Sequence, residues 1–216
     1  MKTPPIAILD YGMGNLFSVR QACRFAGLEA DVTCDKGKIM RAGALIVPGV
    51  GAFGDAMAVL ERGELCAVIA DFIKSGKPFM GICLGFQILF SESEEFGLQK
   101  GLGIFPGRVV KFSRPGKALK VPQVGWNSIY SARGATGWNG TELSGVSDGE
   151  FMYFVHSFYV QPLLQECVLA TSTYEGIGFC SAFKKDNVFA CQFHPEKSAG
   201  AGMAIYRNFQ KIIERA

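Results

Sequence analysis

Between residues 5 and 82 the chain alternates short apolar runs with amphipathic stretches. "PIAILD" reads as a buried strand and leads through a Gly-rich turn into "NLFSVRQACRFAG". That segment predicts a helix, with Asn15 as its N-cap and Gly27 as its stop. "ADVTC" and "ALIVPG" follow as strands, then a loop and helical segments between Asp55 and Lys74, then the strand "KPFMGI" and a helix beginning near Leu84. Strand–helix alternation of this kind predicts an α/β fold with a doubly wound, mostly parallel sheet.

The second half changes character. "RVVKF", "VPQVGWNSI", "FMYFV", "ECVLATSTY", "GFCSAF" and "VFACQF" are strand-like, turn-separated and almost free of helix between them. They predict hairpins and an antiparallel C-terminal extension of the sheet, closed by a final helix, "AGMAIYRNFQKIIE". With no repeat, low-complexity segment or obvious linker, residues 1–216 are expected to form one domain.

Nearly half the residues (49%) are hydrophobic and 19% are charged, a balance that builds a core and argues against disorder. A net charge of +3 does not point to nucleic acid, and the basic stretch "RVVKFSRPGKALK" reads as a solvated loop. Seven cysteines, with no CxxC pair and two histidines, disfavour a disulfide framework or a structural metal. The expectation is a reducing, cytoplasmic compartment and no metal or other cofactor. "MKTPPIAILD" makes a poor signal peptide, and the apolar window 78–90 is too short to span a bilayer.

The chemistry concentrates at "GICLG". Gly81 and Gly85 flank Cys83 at i−2 and i+2, the spacing of a strand–turn–helix nucleophile elbow, where missing Cβ atoms relieve close backbone contacts. A cysteine there meets unpaired N–H groups at a helix N-terminus, which favour the thiolate, and the N–H of Leu84 is placed to bind an oxyanion. The other reading of Cys83 is a small core residue beside two packing glycines. The remaining cysteines (Cys23, Cys34, Cys66, Cys167, Cys180 and Cys191) lack such flanks and default to core.

A nucleophilic cysteine needs a base. His194 in "CQFHPEKS" ends an apolar run, and Glu196 follows two residues later across a stiffening proline. That is a base with an orienting carboxylate, against the alternative of a solvated strand terminus. His156, set among aromatics in "YFVHSFY", reads as packed or supporting. The loop "VPGVGAFGDAM" offers a second oxyanion N–H near Val50 or Gly51. "DYGMGN" lacks the third small residue of a dinucleotide fingerprint, Phe17 standing in its place, so nucleotide binding is discounted.

Together "PGVGAFGDAM", "GICLGFQILF" and "CQFHPEKS" resemble class I, triad-type glutamine amidotransferases. "DYGMGNLFSV", "VGWNSI" and "YFVHSFY" narrow the resemblance to the glutaminases that serve imidazole glycerol phosphate synthase, over Asp10 to Ser198. The resemblance implies that Cys83 attacks the side-chain amide of glutamine, that His194 shuttles the proton, and that Glu196 orients it. Leu84 with the Val50–Gly51 loop would hold the oxyanion. Gln87 matches a position that holds substrate glutamine, and Glu95 is a further candidate for its amino group, against a solvated acidic turn. The implied partner is a separate (β/α)8 cyclase barrel in histidine biosynthesis that receives the ammonia. Trp126, Asn127, Lys197 and Asn15 stand at positions associated with that interface, although Trp126 also reads as a core aromatic.

The family pattern "VPHMGWN" appears here as "VPQVGWN", with Gln123 and Val124. That departure keeps a rival alive, a glutaminase feeding a paralogous synthase that amidates a surface-polysaccharide sugar. More distant rivals are a stand-alone γ-glutamyl peptidase and a binding module with a vestigial elbow.

Overall fold

A computed structural model describes residues 5–113, 116, 118–132 and 137–216. Residues 1–4 of the N-terminal run and 114, 115 and 117 of the basic stretch lie outside them. In chain order the first half comprises β1 (Ile6–Leu9), α1 (Leu16–Phe25), β2 (Ala30–Thr33), α2 (Lys36–Arg41), β3 (Ala44–Gly49), α3 (Phe53–Arg62), α4 (Leu65–Lys74), β4 (Phe79–Cys83) and α5 (Leu84–Gln87). There follow β5 (Phe90–Ser93), β6 (Gln99–Lys100), β7 (Phe105–Lys111), β8 (Gln123–Ser128), β9 (Tyr130–Ser131), β10 (Phe151–His156) and β11 (Phe158–Pro162). β12 (Val168–Tyr174), β13 (Ile177–Lys185), β14 (Val188–Cys191) and α6 (Ala199–Ile213) complete the chain.

The main sheet has eight strands in the order β2-β1-β3-β4-β14-β13-β12-β9. Its first five are parallel, and β13, β12 and β9 extend it in antiparallel fashion. Successive residues of β1 serve opposite cores: Ile6 and Ile8 join one cluster, Ala7 and Leu9 the other. A strand buried on both faces has to be apolar throughout, which is why these runs do not alternate. Asn15 caps α1 through its side chain, accepting the Ser18 N–H at 3.1 Å, and Gly27 lies just beyond the helix with φ +83°.

Three features depart from the sequence expectation. β14 is not a hairpin partner alone but pairs in parallel with β4, Ala190 opposite Gly81. The helix after Cys83 is a single turn; the chain then turns back into β5, whose pairing with β7 takes Phe90 into a small separate sheet, β11-β7-β5-β6. α2, inside the polar "DKGKIMR", carries one buried residue, Ile39, too weak a periodicity to read. β8 and β10 form a two-stranded antiparallel sheet of their own.

Candidate active site

The parallel strands β3, β4 and β14 are neighbours, so the loops and turns leaving their C-terminal ends meet at one edge of the sheet. Cys83 ends β4 with φ 55° and ψ −108°, a left-handed conformation that an L-residue adopts only when its surroundings enforce it. The glycines allow the turn. A Cβ on Gly81 would stand 2.8 Å from the Gly85 carbonyl oxygen, and one on Gly85 would collide with the Val47 carbonyl of β3. A Cβ on Gly49 would likewise press on Leu84 at 2.8 Å. The Tyr11 hydroxyl donates to the Pro48 carbonyl at 2.9 Å and pins the end of β3.

Cys83 opens into a cavity of about 290 Å³ whose walls include Val50, Gly51, Leu84, Gln87, Glu95 and His156. That is near the lower end of ligand pockets, roughly 300–1,000 Å³, and suits an amino acid better than a nucleotide. His194 and Glu196 are both buried in the turn after β14, and Glu196 Oε1 lies 2.8 Å from His194 Nδ1. A carboxylate accepts only, so Nδ1 carries the proton and Nε2 is left as the basic nitrogen. That nitrogen is buried and makes no hydrogen bond of ordinary length. Burial pushes the imidazole toward the neutral form, but the charge of Cys83, a long polar contact with its sulfur, and Glu196 together outweigh it and hold the pKa up to about 10.

Ser198 fixes the segment from behind: its hydroxyl donates to the His194 carbonyl at 2.7 Å and accepts the Tyr153 N–H at 3.0 Å, while the His194 N–H reaches the Tyr153 carbonyl at 2.9 Å. The base is thereby tied to β10.

His156 is packed, in keeping with its sequence context, with ring contacts to Phe112, Phe154 and Phe179. Its Nδ1 bonds the Phe158 carbonyl at 2.8 Å. Burial drives its pKa down, the Phe158 carbonyl opposes this and the nearby His194 adds to it, leaving it about 4. The unfolded chain, titrating near 6.5, therefore takes up this proton first. Stability is expected to fall by about 3 kcal/mol as pH drops from about 6.5 to about 4. His194 adds nothing there, because with a raised pKa it is charged in both states below pH 6.5. Urea midpoints for wild type and His156→Phe across that range test this; a slope undiminished in the variant would refute it.

Gln87 is buried and donates to both the Phe158 carbonyl and Gln192 Oε1, each at 3.0 Å, which leaves its own Oε1 to meet a ligand. Glu95 is no solvated turn residue: it lines the cavity and accepts the Phe53 N–H at 2.7 Å, capping α3. Sequence reasoning assigns Gln192 no role, yet it donates to Cys83 Sγ at 3.5 Å. No local signal marks it, because residue 192 lies just past the end of β14 and its partners come from elsewhere in the chain. Two of the cysteines assigned to the core are not there: Cys34 is exposed and Cys66 half-buried. Burial raises the Cys23 thiol to about 12 and also raises Cys180 and Cys191.

Trp126 is 54% exposed, so the core reading fails. Register places Trp126 opposite Tyr153, Val124 opposite Val155 and Ser128 opposite Phe151, all on the outward face of β8–β10. Trp126 meets Tyr153 edge-on at 6.1 Å, and Lys197 Nζ lies 5.6 Å above the Tyr153 ring. Asn127 is turned to its own chain, bonding Thr173 and Ser128. Among the described residues no cluster of side chains could hold a metal, and no helix is long and apolar enough to cross a membrane.

An elbow cysteine facing a carboxylate-oriented histidine across adjacent parallel strands defines a class of enzyme. The family model for class-I glutamine amidotransferases matches residues 7–212, and the chain belongs to that family. "Imidazole glycerol phosphate synthase subunit HisH" of Geobacter metallireducens is 48% identical over 208 residues, covering 94% of this chain and 96% of the relative. The protein of the same name from Syntrophotalea carbinolica is 49% identical over 94% of this chain and 98% of its own. Among solved structures, PurLQS of Thermotoga maritima superposes with TM-score 0.72 at 22% identity, covering 98% of this chain and 99% of its own. A glutamine amidotransferase of Thermotoga maritima does so with TM-score 0.61 at 15% identity, covering 100% of this chain and 86% of its own. These share the fold.

Proposed function

We propose that this glutamine amidotransferase hydrolyses glutamine to glutamate and hands the ammonia to a separate (β/α)8 cyclase subunit, in the cytoplasm, for imidazole glycerol phosphate formation in histidine biosynthesis. The observation that carries the chemistry is the Glu196-held His194, buried against the sulfur of Cys83, which itself opens into a small cavity. His194 holds the Cys83 proton on Nε2, so that the sulfur attacks the side-chain carboxamide carbon as the thiolate. Backbone N–H groups of Leu84 and of the Val50–Gly51 loop hold the tetrahedral oxyanion. Collapse expels ammonia with the proton from His194, leaving a γ-glutamyl thioester, and water attacking through the same base releases glutamate and the thiol. Gln87 and Glu95 hold the substrate glutamine. The dipole of a one-turn α5 is small, so the anionic sulfur depends on His194 more than on the helix.

The acceptor is argued from relatives of that name at 48–49% identity over nearly the whole chain. A docking face supports it: Trp126, Tyr153, Val124 and Phe151 form an outward apolar patch, flanked by Lys197, on strands whose backbone is bonded to the base. Gln123, the residue behind the surface-polysaccharide alternative, is buried opposite His156 and so does not touch a partner on that face. Asn15 and Asn127 complete the proposed interface through the elements they cap and join.

The test is glutamate release with and without the histidine-pathway cyclase barrel and its ribulosyl nucleotide. Strong stimulation is expected; none would remove that acceptor. Trp126→Ala should weaken the barrel's half-saturation about 30-fold, the loss of one aromatic anchor, with the melting temperature unchanged. An unchanged half-saturation would remove Trp126 from the docking face.

A further inference from the structure

A chain of buried hydrogen bonds runs from the cavity wall to the Cys83 sulfur, and its direction is fixed at one end. The Phe158 carbonyl can only accept. It receives His156 Nδ1–H at 2.8 Å and Gln87 Nε2–H at 3.0 Å. The same Gln87 nitrogen donates to Gln192 Oε1 at 3.0 Å, so the other end of the Gln192 carboxamide, its N–H₂, must point the other way. It points at Cys83 Sγ, 3.5 Å off. Gln192 is wholly buried, so these partners alone set its orientation. The sulfur therefore faces a donor that cannot turn into an acceptor. A thiolate accepts such a bond better than a thiol does.

We propose that Gln192 is a positioning residue for the nucleophile: one buried carboxamide holds the anionic Cys83 sulfur on one side and the Gln87 wall of the cavity on the other. The inference rests on Cys83 being the nucleophile. It also links the two halves of the site, since any ligand that moves Gln87 moves the donor on the sulfur.

The titratable groups facing Cys83 are His194 in the turn after β14, Tyr11 in the loop after β1 and Cys191 at the end of β14, with His156 of β10 and Glu95 after β5 in the same cavity wall. None of them changes in the test. The full-length protein carrying Cys34→Ser, which removes the exposed competitor, is labelled with iodoacetamide across pH and the rate at Cys83 followed by peptide mapping. Gln192→Met removes the donor at similar size and should raise the midpoint of the labelling profile by about one pH unit. Gln192→Glu keeps shape and the acceptor for Gln87 but puts a carboxylate beside the sulfur, and should raise the midpoint further, by about 1–3 units. A residue that only filled space would leave the midpoint alone in Gln192→Met, where no charge enters, so that the Met variant carries the test and the Glu variant only confirms that residue 192 reaches the sulfur. An unchanged midpoint in Gln192→Met overturns the proposal, and Gln192→Leu, equally uncharged and without a donor, decides in the same way if Met does not fold. Because the readout needs neither glutamine nor a partner, failure of the glutaminase reading would show separately, as absent glutamate release from an enzyme whose labelling still shifts.

Discussion

Cys83→Ala is expected to reduce partner-stimulated glutamate release by at least about a thousandfold, while leaving the thermal transition close to wild type. The size follows from the mechanism: without the sulfur no thioester forms, and the remaining route is direct attack of water on an amide. The fold should survive because the strained turn at residue 83 is enforced by its surroundings, Gly81 and Gly85 packing against one another and Gly85 against Val47. Only small volume is removed at the cavity wall. In the wild type, alkylation at neutral pH should block the same activity and map first to Cys83. Cys23, Cys180 and Cys191 are held protonated by burial, which leaves Cys34 as the one exposed competitor among the described residues. Release above about one hundredth of wild type in Cys83→Ala would sink the nucleophile assignment.

Much of this site was legible because its geometry is local. The elbow is written in five consecutive residues, and the base and its orienter stand two apart, so spacing alone carries the argument. The parallel half of the sheet was legible for a related reason: strands buried on both faces are apolar without interruption, and "PIAILD" and "ALIVPG" have no other stable use. Pairings decided at long range could not be read. Nothing in "VFACQF" distinguishes a hairpin strand from one inserted in parallel beside β4, yet that insertion is what brings His194 to Cys83. "FQILF" has the apolar content of a longer helix, and only its docking against β7 converts its end to strand. The same holds for Gln192, whose role depends on Gln87 and Phe158 from distant strands and turns. Trp126 shows the limit most simply. An aromatic in an alternating strand faces inward or outward according to the other strand's register, and register with Tyr153 sends it outward.

The second large effect concerns the backbone of the elbow. Gly85→Ala is expected to destabilise the protein by roughly 3–5 kcal/mol, or to prevent soluble folding altogether. The added methyl would collide with the Val47 carbonyl oxygen and lie 2.8 Å from its carbon, and neither can move freely. Val47 lies inside β3, opposite Gly81 of β4, in the buried parallel part of the sheet. Relief must therefore come from the other side, by lifting the single turn of α5. That turn carries Leu84 and Gln87 and follows Cys83 directly, so any molecules that do fold should lose glutamate release along with stability. Gly178→Ala provides the contrast, since its Cβ would meet nothing within 4 Å at the solvent-facing end of β13; there the change should be neutral or slightly favourable. Urea midpoints and turnover measured on both variants separate the two causes. If Gly85→Ala unfolded at the wild-type urea concentration and kept its turnover, the elbow would not depend on the close approach of two backbones, and the glycine at i+2 from the cysteine would need a different explanation.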